Sequence, residues 1–336
     1  MKAILPFALA CCLMMGLSVR AQLLPVYGGE RAGQSALSFL KNDLNPRSLA
    51  MAGASIAGQG DAYAWLTNPA LATQCTTQNW SLSHAFLGGG VDQSAFTGIF
   101  PLSDGVSSLG FALNTLQSGA IEERTEFQPE GTGRTVYASY VAAGVGYARK
   151  LSAQFSIGGQ VKYLYEGLAD YHNHTAAADL GFLYQTDYKD LQFAVLVSHF
   201  GGSSSLSGTD LVSVFNRTPQ DQLDANPLPT TFSLGVSALP WKREGHSLRT
   251  SVQLNHPNDN AENYRLGLEY DYKNLLAVRS GIRLNVSGMP YPSFGAGLRS
   301  RIGGHSLYID YAANPTDLLG FQHALGLRFS LMSSAR

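Results

Sequence analysis

From about residue 78 onward the chain alternates between apolar and polar positions with a period of two, the signature of strands that show a different environment to each face. In FSIGGQVKYLYE one phase holds Phe155, Ile157, Gly159, Val161, Tyr163 and Tyr165, and the other holds Ser156, Gln160, Lys162 and Glu166. In YRLGLEYDY, Tyr264, Leu266, Leu268, Tyr270 and Tyr272 oppose Arg265, Gly267, Glu269 and Asp271. SLRTSVQLN sets Leu248, Val252 and Leu254 against Arg249, Ser251 and Gln253, and AVRSGIRLN sets Val278, Ile282 and Leu284 against Arg279, Arg283 and Asn285. The pattern predicts strands near 78–86, 92–101, 106–117, 134–148, 153–166, 173–186, 190–200, 229–239, 245–256, 262–272, 275–286, 291–300, 304–313 and 320–331.

Most of these about fourteen segments approach the roughly ten residues that cross an outer membrane at a tilt. The connections support that reading. PLSDGV, RKLSA, TDYKD, PWKREGH, YKN and SRIGGH are short, whereas Gln117 to Gly133 and Gly201 to Leu228 are long and rich in Gly, Ser, Pro and Asp. Short turns at one rim and longer loops at the other characterise outer-membrane barrels. A soluble β-sandwich also alternates, but it turns charges to solvent; here the apolar phase carries aromatics such as Tyr163, Tyr165, Tyr270, Tyr272 and Phe329, which suits interfacial girdles. The expected fold is an all-β, transmembrane antiparallel barrel over 77–336. Its last strand places Phe321, Leu325, Leu327 and Phe329 outward, with MSSAR trailing behind.

The other end of the chain sets the compartment. Lys2, the apolar run Ala3 to Leu17 and the small residues Val19 and Ala21 read as a signal peptide over 1–21. A lipoprotein attached through Cys11 is the alternative. Cleavage after Ala21 removes Cys11 and Cys12, leaving Cys75 as the mature chain's only cysteine and excluding an intrachain disulfide. Charged residues make up 14% of the chain, against about 25% in ordinary soluble domains, and the net charge of −1 offers no electrostatic case for nucleic acid. After the leader no stretch approaches the ~18 apolar residues of a membrane helix. The expected location is the outer membrane of a Gram-negative cell, crossed many times and in contact with lipid.

Residues 22–76 do not alternate. Arg249, Arg265, Glu269, Arg279, Arg283, Arg299 and Arg328 fall on the lumenal phase, so an unfilled barrel would be a polar pore. The N-terminal segment is the expected filler, a hatch or plug. The lumenal arginines would pair with its Asp43 or Asp61, or receive an anionic head group. Asn68-Pro69 interrupts an Ala-rich stretch; proline there biases Asn68 to extended backbone, so the segment is expected to turn sharply at this point, where it leaves the lumen and joins the wall.

SFLKNDLNPRSLAMAGASIAGQGDAYAWLTNPALAT resembles the amino-terminal signature of the PorV/PorQ family, with Arg47, Met51, Gly53, Asp61, Asn68, Pro69 and Ala70 at the matching places. More distantly it resembles the FadL superfamily of outer-membrane transporters, which implies a fourteen-stranded barrel with an Asn-Pro-Ala hatch. DLGFLYQ, LPTTFSLGVSALP and FQHALGLRF extend the likeness over most of the mature chain. The sequence departs from the pattern where Pro46 precedes Arg47 and where GQGDAYA is less acidic. The length is nearer to PorQ-like members, and the family implies a Bacteroidota-type outer membrane.

Two functions follow from the resemblance. One is a non-enzymatic accessory of type IX secretion or surface attachment, meeting secretion components or cargo through its outer loops. The other is a FadL-like passive transporter of hydrophobic small molecules. No Gly-x-Ser-x-Gly elbow or phosphate cradle occurs. His172 to His174 form HNH without a third ligand in view, so neither a metal nor another cofactor is expected.

Overall fold

In a computed structural model that describes residues 33–208, 223–289 and 291–331, the alternating region closes into a barrel of 14 antiparallel strands. In chain order they are β1 (Asn79–Gly88), β2 (Val91–Pro101), β3 (Ser107–Gln117), β4 (Ala138–Lys150), β5 (Phe155–Leu168), β6 (Tyr171–Gln185) and β7 (Gln192–Gly201). The second half comprises β8 (Thr231–Arg243), β9 (His246–Pro257), β10 (Asn263–Tyr272), β11 (Leu276–Leu284), β12 (Ser293–Ile302), β13 (His305–Thr316) and β14 (Gly320–Ser330). Each strand pairs with its sequence neighbours, and β1 closes on β14 from Asn79–Ser330 to Phe86–His323. Closure leaves no unpaired sheet edge, as a wall in lipid requires.

The phase follows the alternation. Val161 and Leu268 stand outward with 62% and 45% of their surface free, whereas Lys162 and Glu269 are buried inside. On the outer face Trp80 packs against Phe96, Phe100 and Phe111. The signal-peptide region, both leader cysteines, residues 22–32 and the terminal Met332–Arg336 lie outside the described residues, as do 209–222 of the longest loop. By the asymmetry general to such barrels, the rim of short turns is periplasmic.

Residues 33–78 run inside the barrel. The path begins near the outer rim, where the Ala36 amide donates to Pro227 O at 3.0 Å, and ends beside β14, where Thr77 and Ser330 share a hydroxyl hydrogen bond of 2.8 Å. Two short helices form on the way, α1 (Pro46–Ala50) and α2 (Ala64–Thr67), with single 3₁₀ turns at Ser38–Lys41 and Pro69–Gln74. Asn45-Pro46 and Asn68-Pro69 do the same local work. In each the asparagine side chain accepts the amide two residues on, Arg47 N or Ala70 N at 3.0 Å, and proline occupies the first helical position, where a missing N–H costs nothing. The bend at Asn68 therefore starts a 3₁₀ turn within the lumen; the chain leaves only after Cys75. Pro46, a departure from the family pattern in sequence, is one half of this repeated cap.

Candidate functional site

The inner segment is joined to the wall by a closed ring of charges. Arg47 Nε and Nη2 donate to the two oxygens of Glu269 at 2.7 and 2.5 Å. Glu269 Oε2 also accepts from Arg279 Nε at 2.6 Å, and Arg279 Nη1 reaches Asp310 Oδ1 at 2.7 Å. Asp310 Oδ2 accepts from Arg328 Nε at 2.8 Å, and Arg328 Nη1 donates to Asp61 Oδ2 at 2.9 Å. Arg47 Nη1, 3.4 Å from the same Asp61 oxygen, completes the circuit. The three arginines balance the three carboxylates, so the ring is neutral in a desolvated place where an unpaired charge would be costly. Arg47 and Asp61 come from the inner segment and the rest from β10, β11, β13 and β14. The ring is thus the electrostatic contact between the inner segment and the wall.

Packing makes the second contact, and the wall supplies the space. A Cβ on Gly281 would lie 2.3 Å from Met51 C, one on Gly158 2.4 Å from Pro69 C, and one on Gly146 2.3 Å from the Trp65 ring. Lumenal glycines on β10 and β14 likewise meet Met51 and Tyr63. Only residues without a side chain let the inner backbone come this close. Asn68, fully buried, donates from Nδ2 to Ile56 O at 2.9 Å and to Phe182 O of β6 at 3.4 Å. Gly53, at φ +84°, closes the α1 terminus by donating its amide to Ser48 O at 2.8 Å. Ala70 is fully buried in the same cluster as Trp65.

The remaining lumenal arginines stand apart from the ring. Arg249 pairs with Asp190 at the periplasmic end. Arg265 and Arg283 are cross-strand neighbours in the outer half; Arg265 Nε donates to Asn263 Oδ1 at 3.1 Å and Arg283 Nε to Ala52 O at 3.0 Å. Arg299 stacks over Tyr308, 5.0 Å from the ring centroid, with Arg328 on that ring at 4.5 Å. Asp43 binds Ser48 and the Asn45 amide instead of an arginine.

Two spaces remain. A cavity of about 250 Å³ opens below the charge ring, lined by polar and charged groups including Asp61, Arg299, Asp310 and Arg328. A smaller one of about 40 Å³ lies between Leu40, Leu44, Trp65 and Ala142, beside Lys162 and His199. There Asp179 takes the Lys162 ammonium at 2.5 Å and the His199 amide at 2.8 Å, where a bulge sets His199 at φ +57°. Towards the outer rim the lumen is closed by Leu37, Phe39 and Leu40 of the inner segment together with Leu228 of an outer loop.

The wall is thinnest at one seam. β11 and β12 pair only from Leu276–Leu298 to Gly281–Ser293, a shorter run than any other seam. Above it Ile282 to Leu284 pair with β10 alone and Asn314 to Thr316 with β14's strand alone. Pro292 and Pro315 flank this gap; proline lacks the N–H of a ladder bond, so β12 starts late. A missing strand leaves a notch about 10 Å across between its neighbours. Met289 occupies it, its sulfur 2.6 Å from Arg283 Nη1 and 3.8 Å from Asn314 Nδ2.

Among the described residues no group of three His, Cys, Asp or Glu side chains is placed to hold a metal ion. His172 and His174 lie on β6, His174 against Tyr163 and Tyr165. Cys75 is buried, and burial pushes its thiol up to about 12.

A scan of protein-family models finds no match for the chain, and no curated protein matches it. Solved structures do. The CymD monoaromatic hydrocarbon channel shares 11% identity and a TM-score of 0.58, over 87% of this chain and 98% of that one. The Pseudomonas putida toluene transporter TodX shares 13% identity, with a TM-score of 0.54 over 84% and 96%. A Pseudomonas aeruginosa FadL homologue shares 10%, with 0.54 over 85% and 96%. At such identities the likeness defines the fold alone, a closed fourteen-stranded β-barrel of FadL-like architecture.

Proposed function

We propose that this chain is a passive outer-membrane channel for small hydrophobic molecules, which enter from the outer rim and leave sideways through the wall. The observation that carries the reading is the notch above Ser293. Here the β11–β12 ladder, the shortest of the wall, stops in the outer half of the barrel, and the flexible side chain of Met289 lies beside Arg283 and Asn314. Two of the similar solved structures are a monoaromatic hydrocarbon channel and a toluene transporter. With one flexible side chain in the notch, opening would need only a local rearrangement there, while the paired charges of the ring hold the inner segment against the wall.

A second reading, the PorV/PorQ-like accessory of type IX secretion, is favoured by a different observation. The 250 Å³ cavity is lined largely by polar and charged groups and the one beside Leu40 and Trp65 holds only about 40 Å³, so neither is a hydrophobic ligand pocket of the usual 300–1,000 Å³. On that reading the lumen is packing and the outer loops carry the contacts.

The test uses cells lacking the protein, complemented with the full chain or with Met289→Cys/Asn314→Cys. Side-chain tips 3.8 Å apart are within reach of a short, cleavable bis-thiol reagent. Uptake of labelled toluene should need the protein, stop on cross-linking and return on cleavage. Equal uptake with and without the protein, together with loss of cargo from the cell surface, would establish the accessory reading instead.

A further inference from the structure

A bulge in β8 gives one corner of the periplasmic rim a cationic and aromatic outer surface. Up to Ala238 the even positions of β8 face outward, Leu234 and Val236 among them. The pairing then slips by one between Ala238 and Trp241, so that Trp241 stands opposite Leu248 and Arg243 opposite His246. The extra residue exchanges the faces: Trp241 and Arg243 join the outward phase of Leu248 and His246, and Lys242 falls on the other. Across the next seam Leu248 pairs with Tyr270 and His246 with Tyr272. Two rows result. Nearer the membrane centre Trp241 and Tyr270 stack, their centroids 6.4 Å apart and their planes 11° from parallel. Nearer the periplasm lie Arg243, His246 and Tyr272, with the His246 and Tyr272 rings 5.2 Å apart.

Lys273 completes the outer row. Its amide donates to Gly245 O at 2.6 Å, its Nζ lies 5.3 Å from the Tyr272 ring centroid, and its Cγ passes 3.0 Å from where a Cβ on Gly245 would be. The β10–β11 turn is thereby clipped to the β8–β9 turn, and the exposed Arg243 and Lys273 flank the His246–Tyr272 pair. The nearby carboxylates leave a positive excess. Asp271 falls on the lumenal phase and accepts the Asn274 amide at 2.9 Å, and Asp190 pairs with Arg249. Glu244, exposed beside Arg243, offsets one of the two outward charges.

We propose that this corner binds the phosphate of an anionic inner-leaflet phospholipid of the phosphatidylglycerol kind. The surface matches that molecule in order of depth. Val236, Val252 and Leu266 form one exposed row across the strands for the acyl chains. Trp241 and Tyr270 follow at the level where amphipathic rings settle in the interface, and Arg243 and Lys273 lie at the level of the phosphate. Arg243 and Tyr272 are two strand spacings apart, about 10 Å, so both long cationic side chains reach a phosphate held over the His246–Tyr272 pair. The guanidinium offers it a two-donor fork, and one phosphodiester charge balances the remaining positive charge. Such a contact would fix the height of the barrel in the membrane under either function proposed above.

The experiment is native mass spectrometry of the full-length protein, delipidated in detergent and titrated with phosphatidylglycerol or phosphatidylcholine, with a heat-modifiable gel shift to check that each variant forms a barrel. We expect phosphatidylglycerol to be retained in preference to phosphatidylcholine. It should bind about fivefold more weakly to Arg243→Gln and to Lys273→Gln, the effect of one cation beside an anionic lipid surface, and more weakly still to the double variant. Lys242→Gln, on the other face of the same strand, should bind as the wild type does. Equal retention of the two lipids by the wild type would overturn the proposal. So would wild-type affinity in the double variant, or a loss in Lys242→Gln as large as in the others, since net charge and not this corner would then hold the lipid.

Discussion

Arg47 holds Glu269 with two parallel hydrogen bonds, Nε to Oε2 at 2.7 Å and Nη2 to Oε1 at 2.5 Å, across 222 residues of sequence. This fork-to-fork geometry fixes both the distance and the orientation of α1 against β10. Removing one partner of a buried pair leaves the other uncompensated, at a cost of about 3–5 kcal/mol. Arg47→Met should therefore release the inner segment while the barrel persists, and single-channel recording should show ion conductance where the wild type is nearly silent. Adding Glu269→Gln should recover part of the loss, because the stranded carboxylate is neutralised.

The wall glycines predict a second route to the same state. Gly281→Val puts a branched side chain where Met51 backbone lies 2.3 Å from the Cβ position, and backbone cannot swing aside as a side-chain tip could. We expect a folded barrel with raised conductance. Wild-type silence in this variant would mean that the inner segment docks by the charge ring alone.

Removing residues 33–73 should leave a barrel that still inserts, since the strand ladder is complete without them. It should conduct ions in a planar bilayer. Failure to fold would show that the wall needs its filler to close.

Leu268 and Glu269 separate the two faces of one strand. Leu268→Arg places a guanidinium in lipid and should cost about 2–4 kcal/mol of barrel stability, measured by reversible unfolding from vesicles. By phase alone Glu269→Arg would be mild, since it points away from lipid. The charge ring reverses that expectation: a third cation between Arg47 and Arg279 would repel both. Glu269→Arg should raise conductance strongly while shifting barrel unfolding less than Leu268→Arg.

Cys75 reports on the inner segment. Its thiol is buried and raised to about 12, so little thiolate exists at pH 8 and a maleimide should not label the wild type. Gly281→Val and Arg47→Met should label readily, because an exposed thiol returns towards its ordinary value near 8.5. Equal protection in all three proteins would show that the segment stays docked.

Much of the wall was legible in the alternation because a strand between lipid and lumen must change character at every residue, and any slip of one position exchanges the two faces. The predicted fourteen segments and the outward phase of Val161, Leu268 and Phe321 rest on that local rule. β4 starts at Ala138 and not near 134, since Thr135 and Val136 pair with Ile121 and Glu122 in a small outer hairpin. The Asn-Pro caps were legible as turns, but capping within the lumen was not, because the same dipeptide serves equally at an exit.

The sequence by itself determined the strands, their faces and the presence of a non-alternating segment ahead of them, all consequences of neighbours a few residues apart. Tertiary structure alone decided which charges meet. Arg47, Asp61, Glu269, Arg279, Asp310 and Arg328 share no spacing, and Asp310 carried no signal beyond being one more polar position on a strand. Arg265 and Arg283 have the same phase as Arg279 yet stand outside the ring. Which lumenal charge finds a partner depends on its height in a closed barrel and on where a segment hundreds of residues away passes. The same holds for the glycines of the wall, whose missing side chains acquire meaning only from the backbone that lies against them.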